Sequence, residues 1–158
     1  MKMRRIAILA VSCLLVFTLA PALFAQESIE IRKILFAEEV TTFGLYEEEP
    51  SSSFKKDSQT VVYLEIDNFK RVETNGTYSV DVALDFALLD SSGKPLINEK
   101  NMINFSNDNF KSKINDLYFT VDLNLQGVPA GEYTVVSTVK DNNAKSYDEE
   151  TLDLKIVE

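Results

Sequence analysis

The chain has 158 residues, of which 45% are hydrophobic and 26% are charged, with 16 Lys and Arg against 25 Asp and Glu. It contains no His, no Trp and a single Cys. The missing imidazole excludes Ser-His-Asp and Cys-His catalysis, His-ligated zinc and ordinary haem ligation.

The first 25 residues have the pattern of an export signal. Three basic residues lie within the first five positions, an apolar run covers residues 6–19, and small residues follow. Cleavage is predicted after Ala25, with Ala22 as the alternative site. A retained membrane anchor is the rival interpretation, and Pro21 with the small residues beside it favours cleavage instead.

The predicted mature chain, residues 26–158, is acidic and free of cysteine. Removing the leader removes three positive charges and no negative ones, which leaves 13 basic against 25 acidic side chains and a net charge of −12. This negative charge repels phosphate groups and therefore disfavours nucleic acid and anionic membrane surfaces as partners. No disulfide can form, so we expect one hydrophobic core to stabilise a single domain.

The first half of this domain has two predicted strands separated by a loop. Residues 29–36 contain both alternating and helix-like apolar spacings, and we interpret them as a strand. Residues 47–59 form a polar, solvated loop. Residues 60–66 are dense in Val, Tyr and Leu, which is typical of a strand.

The clearest period-two pattern covers residues 78–88. Six apolar residues alternate with smaller or polar ones, and Asp81 and Asp85 are predicted to face water on the polar side. Asp, Ser and Gly in residues 90–94 predict a hairpin turn. A short strand over residues 94–98 contains Pro95 and is therefore expected at a sheet edge.

The second half continues the same alternation after a break. Residues 101–115 are rich in Asn, Asp, Ser and Lys and predict a long connection. Strands are predicted at residues 117–125 and 132–140, and a turn at residues 141–143. Inward-facing Leu152, Leu154 and Ile156 then complete a C-terminal hairpin.

About seven strands with turn signals between them, and no convincing helical spacing, predict an all-β fold. We expect an antiparallel β-sandwich over residues 26–158. A small closed barrel is the alternative, because the sequence does not show whether the sheet closes on itself.

Two sets of residues resemble known sandwich domains. Residues 127–135, Gly-Val-Pro-Ala-Gly-Glu-Tyr-Thr-Val, resemble the corner before a late strand in immunoglobulin-like and fibronectin type III-like sandwiches. The resemblance implies that Tyr133 is buried and that its hydroxyl bonds to the corner backbone. The intersheet cysteines and core Trp of antibody domains are absent. Residues 43–46, Phe54 and residues 63–69 resemble segments of exported bacterial proteins with such sandwiches, and this resemblance implies a fold but no reaction.

Clusters of carboxylates and amides offer oxygen ligands for a hard cation such as calcium. The weak candidates are Asp141, Asp148, Glu149, Glu150 and Asp108. None of them belongs to a recognised calcium loop, and the residues around Asp141 are equally good turn residues. We therefore expect no cofactor, with calcium as the alternative.

Paired acidic residues could serve carboxylate catalysis, and aromatic residues could stack on sugar rings. Asp81 and Asp85 lie four residues apart on one strand, about 13 Å between Cα atoms, which is too far for a glycosidase pair unless the side chains lean together. Aromatic residues in or near loops offer stacking surfaces for sugar rings, but ends of sandwiches are more often plugged by such rings. These aromatic residues are Tyr46, Phe54, Phe69, Phe105 and Phe110.

These observations predict an exported, non-enzymatic binding or interaction module of the bacterial cell envelope, in the periplasm or secreted. Its partner is expected to be another envelope or extracellular protein, with no nucleic acid and no membrane bound after signal cleavage. A calcium-stabilised adhesion or structural domain is one alternative. A carbohydrate-acting enzyme that uses carboxylates is the other. The sequence indicates neither the oligomeric state nor the identity of the partner.

Overall fold

Alternating apolar residues form strands throughout residues 28–158, the part of the chain that the computed structural model describes. Ten strands and no helix occur in this range. They are β1 (Glu30–Thr42), β2 (Leu45–Glu48), β3 (Ser53–Lys55), β4 (Gln59–Asp67), β5 (Val72–Thr74), β6 (Thr77–Asp90), β7 (Pro95–Phe110), β8 (Leu117–Asn124), β9 (Gly131–Asp141) and β10 (Ser146–Val157).

The strands form two sheets. The four-stranded sheet has the order β2-β1-β4-β8, and all its pairs are antiparallel. The six-stranded sheet has the order β3-β10-β9-β6-β5, and β7 also pairs with β6. Its pairs are antiparallel except for β3, which lies parallel to β10.

Residues from both sheets share one hydrophobic core. In β4, Val62, Leu64 and Ile66 belong to it, whereas the residues between them face the opposite side of the sheet. In β6 and β9 the same alternation brings Leu84 and Val135 into the core. A sheet that buries one face in this way explains why period two dominates the sequence.

The predicted all-β fold is confirmed, and so are the main predicted elements. The strands expected at residues 78–88, 117–125 and 132–140 are β6, β8 and β9, and the ambiguous segment at 29–36 lies within β1 except for its first residue. The predicted hairpin turn follows β6. There Oδ1 of Asp90 accepts the N–H groups of Ser92 and Lys94 at 2.9 and 3.0 Å, which holds the turn from inside.

Three details of the prediction were wrong. The described range has ten strands rather than about seven, because β2, β3 and β5 contain only three or four residues and leave no periodic signal. The sheets are not wholly antiparallel, because β3 runs parallel to β10. The connection expected at residues 101–115 is mostly strand, because β7 continues to Phe110 along β6.

The corner before β9 has the geometry that the resemblance implies. The Tyr133 ring is buried, and its hydroxyl donates to the carbonyl of Pro129 at 2.8 Å. Gly131 lies against this ring, and a Cβ atom at this position would be 3.5 Å from the nearest ring atom of Tyr133. The tyrosine therefore fixes the path of the chain into β9.

The predicted export signal, its cleavage sites and the rival membrane anchor lie outside the described residues. Within residues 28–158 there is no helix long and apolar enough to cross a membrane.

Candidate functional site

The weak metal candidates do not converge. Asp141 is buried at the end of β9, and both of its oxygens accept backbone N–H groups. Oδ2 accepts from Lys70 at 2.6 Å, and Oδ1 accepts from Asn143 and Ala144 at 2.8 and 2.9 Å. This carboxylate therefore joins the β9–β10 turn to the segment that follows β4.

The other four candidates are dispersed. Asp148 accepts the N–H of Ile31 at 2.8 Å, Glu149 accepts the hydroxyl of Thr138 at 2.8 Å, and Asp108 accepts the amide of Asn109 at 3.0 Å. Glu150 is exposed on β10. Residues 28–158 contain no group of three or more His, Cys, Asp or Glu side chains placed to hold a metal ion.

Asp85 does not face open water as predicted. It is only 8% exposed, because β7 and β9 flank this part of β6 and supply its partners. Burial raises the pKa of Asp85, but the N–H of Asn101 and the ammonium groups of Lys140 and Lys100 outweigh this, and the pKa is lowered overall. Asp81 accepts a hydrogen bond from a different partner, the side-chain amide of Asn142 at 2.7 Å, so the two carboxylates have separate partners.

Most of the loop aromatics considered for sugar stacking belong to the core. Phe54 and Phe69 are buried in it, and Phe105 and Phe110 pack against it, 6.2 Å apart between ring centroids. Tyr46 is the exception, because it lies on the solvent side of the four-stranded sheet.

Aromatic rings collect on this solvent side around Tyr63, and together with two charged residues they form what we call the Tyr63 cluster. It consists of Arg32, Phe43, Tyr46, Tyr63, Glu65 and Tyr118. The Tyr63 ring lies 4.6 Å from that of Tyr46 and 5.9 Å from that of Tyr118, and Phe43 meets Tyr118 edge-on at 6.3 Å. Tyr63 is fully buried although it is outside the main core.

Hydrogen bonds hold the Tyr63 cluster in one arrangement. The N–H of Gly44, which has a φ of +69° in the β1–β2 turn, donates to the Tyr63 hydroxyl at 2.8 Å, and this hydroxyl donates to Oε1 of Glu65 at 3.1 Å. Burial and the bond to Glu65 raise the pKa of Tyr63, against the lowering effect of Gly44. Hydrogen bonds therefore join the Tyr63 phenol to the Glu65 carboxylate and to the β1–β2 turn.

Arg32 closes the cluster on its charged side. It donates to Oε2 of Glu65 at 3.1 Å, lies 3.6 Å from Asp67 and 3.4 Å from Asp116, and sits 5.9 Å above the Phe43 ring. Bonds to Glu65 raise the pKa of Arg32. The rings and the guanidinium are therefore held together by direct contacts.

The edge of this cluster is apolar and open to solvent. Phe43 and Tyr118 are each 37% exposed, and Leu45, at the end of the same turn, is 58% exposed. Tyr147, the most exposed aromatic of the described residues at 70%, lies on β10 in the other sheet. The turn between β1 and β2 thus carries a concentrated apolar patch.

A groove of about 370 Å³ lies along the same sheet. Val61 of β4 lies between Glu38 of β1 and Asp122 of β8. Because β1 and β8 are two strand spacings apart, the backbones of Glu38 and Asp122 are about 10 Å apart. Both acids are exposed, whereas the general acid of a glycosidase typically lies in a hydrophobic pocket that raises its pKa. The groove therefore offers solvent-exposed hydrogen-bonding groups.

No family model and no curated protein matches this chain. Similar solved structures include the C-terminal domain of Wzt, with a TM-score of 0.50 and 14% identity over 84% of this chain and 75% of that one. A Niemann-Pick type C2 protein from the Japanese carpenter ant has a TM-score of 0.51 and 12% identity, over 85% and 96% respectively. These similarities concern the fold alone and agree that it is all-β.

Sequence reasoning did not identify the Tyr63 cluster. Tyr63 and Glu65 are two residues apart in β4, so period two places them on one face, but every residue from Val62 to Ile66 is buried and the run lacks a visible polar side. Phe43 was noted only for the resemblance of residues 43–46 to exported proteins, and Tyr46 was also considered as a stacking surface for sugar rings. The register of β1 and β8 with β4 brings the set together.

Proposed function

We propose that this protein is an exported β-sandwich domain, immunoglobulin-like in topology, that acts as a non-enzymatic binding module for another envelope or extracellular protein. The observation that carries the proposal is the Tyr63 cluster with its exposed edge at Phe43, Leu45 and Tyr118. Core packing does not account for it, because the cluster lies on the opposite face of β4 from the core.

The sandwich is supported by the shared core. The two sheets contribute alternate residues to a single apolar cluster, as expected for two sheets packed face to face. The bond from Tyr133 to the Pro129 carbonyl supports the immunoglobulin-like interpretation, because such a tyrosine commonly occupies the corner before a late strand.

The chemistry of the cluster favours a protein partner. Protein interfaces are enriched in Tyr, Phe and Arg, and the residues that dominate their binding energy are often preorganised Tyr and Arg. Here Arg32 and the rings are fixed before any partner arrives, so binding does not have to order them. Leu45, at the end of the β1–β2 turn, is 58% exposed and adds apolar surface near the cluster.

The buried carboxylates support a non-enzymatic role. Asp85 is ion-paired with Lys100, at 3.1 Å, and with Lys140, and Glu65 is ion-paired with Arg32 and accepts the Tyr63 hydroxyl. A general acid needs an environment that keeps it protonated, whereas the pKa of Asp85 is lowered. These groups therefore stabilise the sheet faces on which they lie.

Photo-crosslinking in intact cells tests the proposal. The full-length chain is produced in the source organism with a photoreactive phenylalanine analogue in place of Leu45 and, as the matched control, in place of Tyr147. Both positions are exposed, so neither change disturbs the core. We expect one discrete protein adduct from position 45 and none of that mass from position 147.

Loss of that adduct in a Phe43→Ala, Tyr118→Ala background would show that binding depends on the exposed rings of the Tyr63 cluster. No adduct from position 45, or the same adducts from both positions, would contradict the proposal.

A further inference from the structure

The free edge of β8 is unprotected, unlike the other sheet edges of the described residues. β8 pairs with β4 alone among the described strands, in an uninterrupted register of eight residue pairs from Gln59–Asn124 to Ile66–Leu117. Strand edges of this kind carry a row of backbone N–H and C=O groups that can pair with another strand.

The other edges have recognised protective devices. β7 contains Pro95 and Lys100, has three irregularities in its register with β6, and includes Asn101 at a φ of +51°. β2 has four residues and two irregularities, and β3 and β5 have three residues each. β8 has eight residues without Pro, Lys, Arg or a bulge, and Asp122 is its single charge.

We propose that β8 pairs with β8 of a second copy of this chain, antiparallel and across a two-fold axis at Thr120. In this register Thr120 lies opposite its own counterpart, and Tyr118 lies opposite Asp122 of the second copy. Because residues with even numbers point outward in both copies, the two four-stranded sheets join into one continuous eight-stranded sheet.

Complementarity favours this register over one with the axis at Asp122. Thr–Thr pairs and aromatic with β-branched pairs stabilise neighbouring strands, and here Phe119 faces Val121 of the second copy. A two-fold axis at Asp122 would instead place two carboxylates side by side, which is unfavourable.

Cysteine crosslinking tests both the partner and the register. Thr120→Cys is introduced into the full-length chain in a Cys13→Ser background, so the new thiol is the only one in the protein. Directly opposite residues of antiparallel strands have Cα atoms about 4.5–5.5 Å apart, which permits a disulfide. We expect oxidation to give a disulfide-linked dimer of this chain.

Two control cysteines distinguish the edge and the register. Asn124→Cys is on the same strand, but in this register the two Asn124 positions are about 27 Å apart. Ser106→Cys is exposed on β7, the edge of the other sheet. Neither control should crosslink, and crosslinking of all three variants alike would overturn the proposal.

Mass measurement of the protein without cysteine substitutions completes the test. At physiological ionic strength, analytical ultracentrifugation should show a dimer. Thr120→Lys, which sets two ammonium groups opposite each other, should weaken it at least about tenfold. Ser106→Lys should leave it unchanged, and both variants should keep the β-sheet circular dichroism spectrum of the parent. Because association stabilises the folded state, the melting temperature of Thr120→Lys should fall toward that of the monomer. A monomer at all accessible concentrations, or a Thr120→Cys adduct only to a different protein, would overturn the proposal.

Discussion

Oδ2 of Asp148 accepts the backbone N–H of Ile31 at 2.8 Å, so β10 of the six-stranded sheet is joined to β1 of the four-stranded sheet by one side chain. We expect Asp148→Ala to lower the free energy of unfolding by about 1–2 kcal/mol, because it leaves this N–H without an acceptor. Asp148→Asn keeps an acceptor oxygen and should lose less. Urea denaturation measures both, and exposed Glu150→Ala is the neutral control; equal effects of the three changes would contradict this role.

Asp141 should be more sensitive than Asp148. Three backbone N–H groups, on Lys70, Asn143 and Ala144, depend on its two oxygens at a nearly fully buried site. Asp141→Ala should therefore cost about 3 kcal/mol or more, and Asp141→Asn about 2, because an amide presents a donor where an acceptor is needed. Asp108→Asn, on exposed β7, should change stability by less than about 0.5 kcal/mol. An Asp141→Asn protein as stable as the parent would refute this account.

Calcium should not stabilise the protein. The Asp141 oxygens already accept N–H groups, and Asp148, Glu149 and Asp108 each have a separate partner. A cation would have to displace these bonds before it gained ligands. The melting temperature should be the same in millimolar calcium and in chelator, measured by differential scanning calorimetry. A rise with calcium that Asp141→Asn abolishes would restore the metal hypothesis.

Asp85 should make stability depend on acid pH in a definite direction. Its folded pKa is lowered by Asn101, Lys140 and Lys100 in spite of burial, so its contribution is complete above the unfolded pKa of about 3.9 and is lost as pH falls through the folded pKa. Asp85→Asn should cost about 2 kcal/mol at pH 7. The difference from the parent should be constant down to about pH 5 and shrink below pH 4. A difference that grew on acidification would contradict this sign.

The corner hydroxyl should contribute measurably to stability. Tyr133→Phe removes one bond, to the carbonyl of Pro129, and leaves the buried ring in place. We expect a loss of about 0.5–1.5 kcal/mol in the free energy of unfolding. Tyr147→Phe, at the most exposed aromatic of the described residues, is the matched control and should have no effect.

The sequence predicted strands well where one face of a strand is buried. β6, β8 and β9 alternate because their neighbours cover one side, and the turn at Asp90 is visible because Asp, Ser and Gly bond locally. β7 was missed beyond residue 98 because only a few of its residues, such as Ile103 and Phe105, are half-buried and bulges interrupt their spacing. Its strand character comes from pairing with β6, which composition does not record.

The Tyr63 cluster was not predictable for a different reason. It requires knowledge of which strands flank β4, since Arg32, Tyr63 and Tyr118 come from three strands far apart in the sequence. Asp85 illustrates the same limit. Alternation correctly placed it away from the core, but only the register with β7 and β9 shows that lysines cover it.

The parallel pairing of β3 with β10 has a consequence for how the molecule is made. Phe54 lies beside Ile156, and the N–H of Lys56 bonds to the carbonyl of Val157 at 2.8 Å, so two segments about 100 residues apart in the sequence form neighbouring strands. Closing so large a loop costs chain entropy before the pairing stabilises it. We therefore expect this edge of the six-stranded sheet to form late in folding, after the hairpin of β9 and β10.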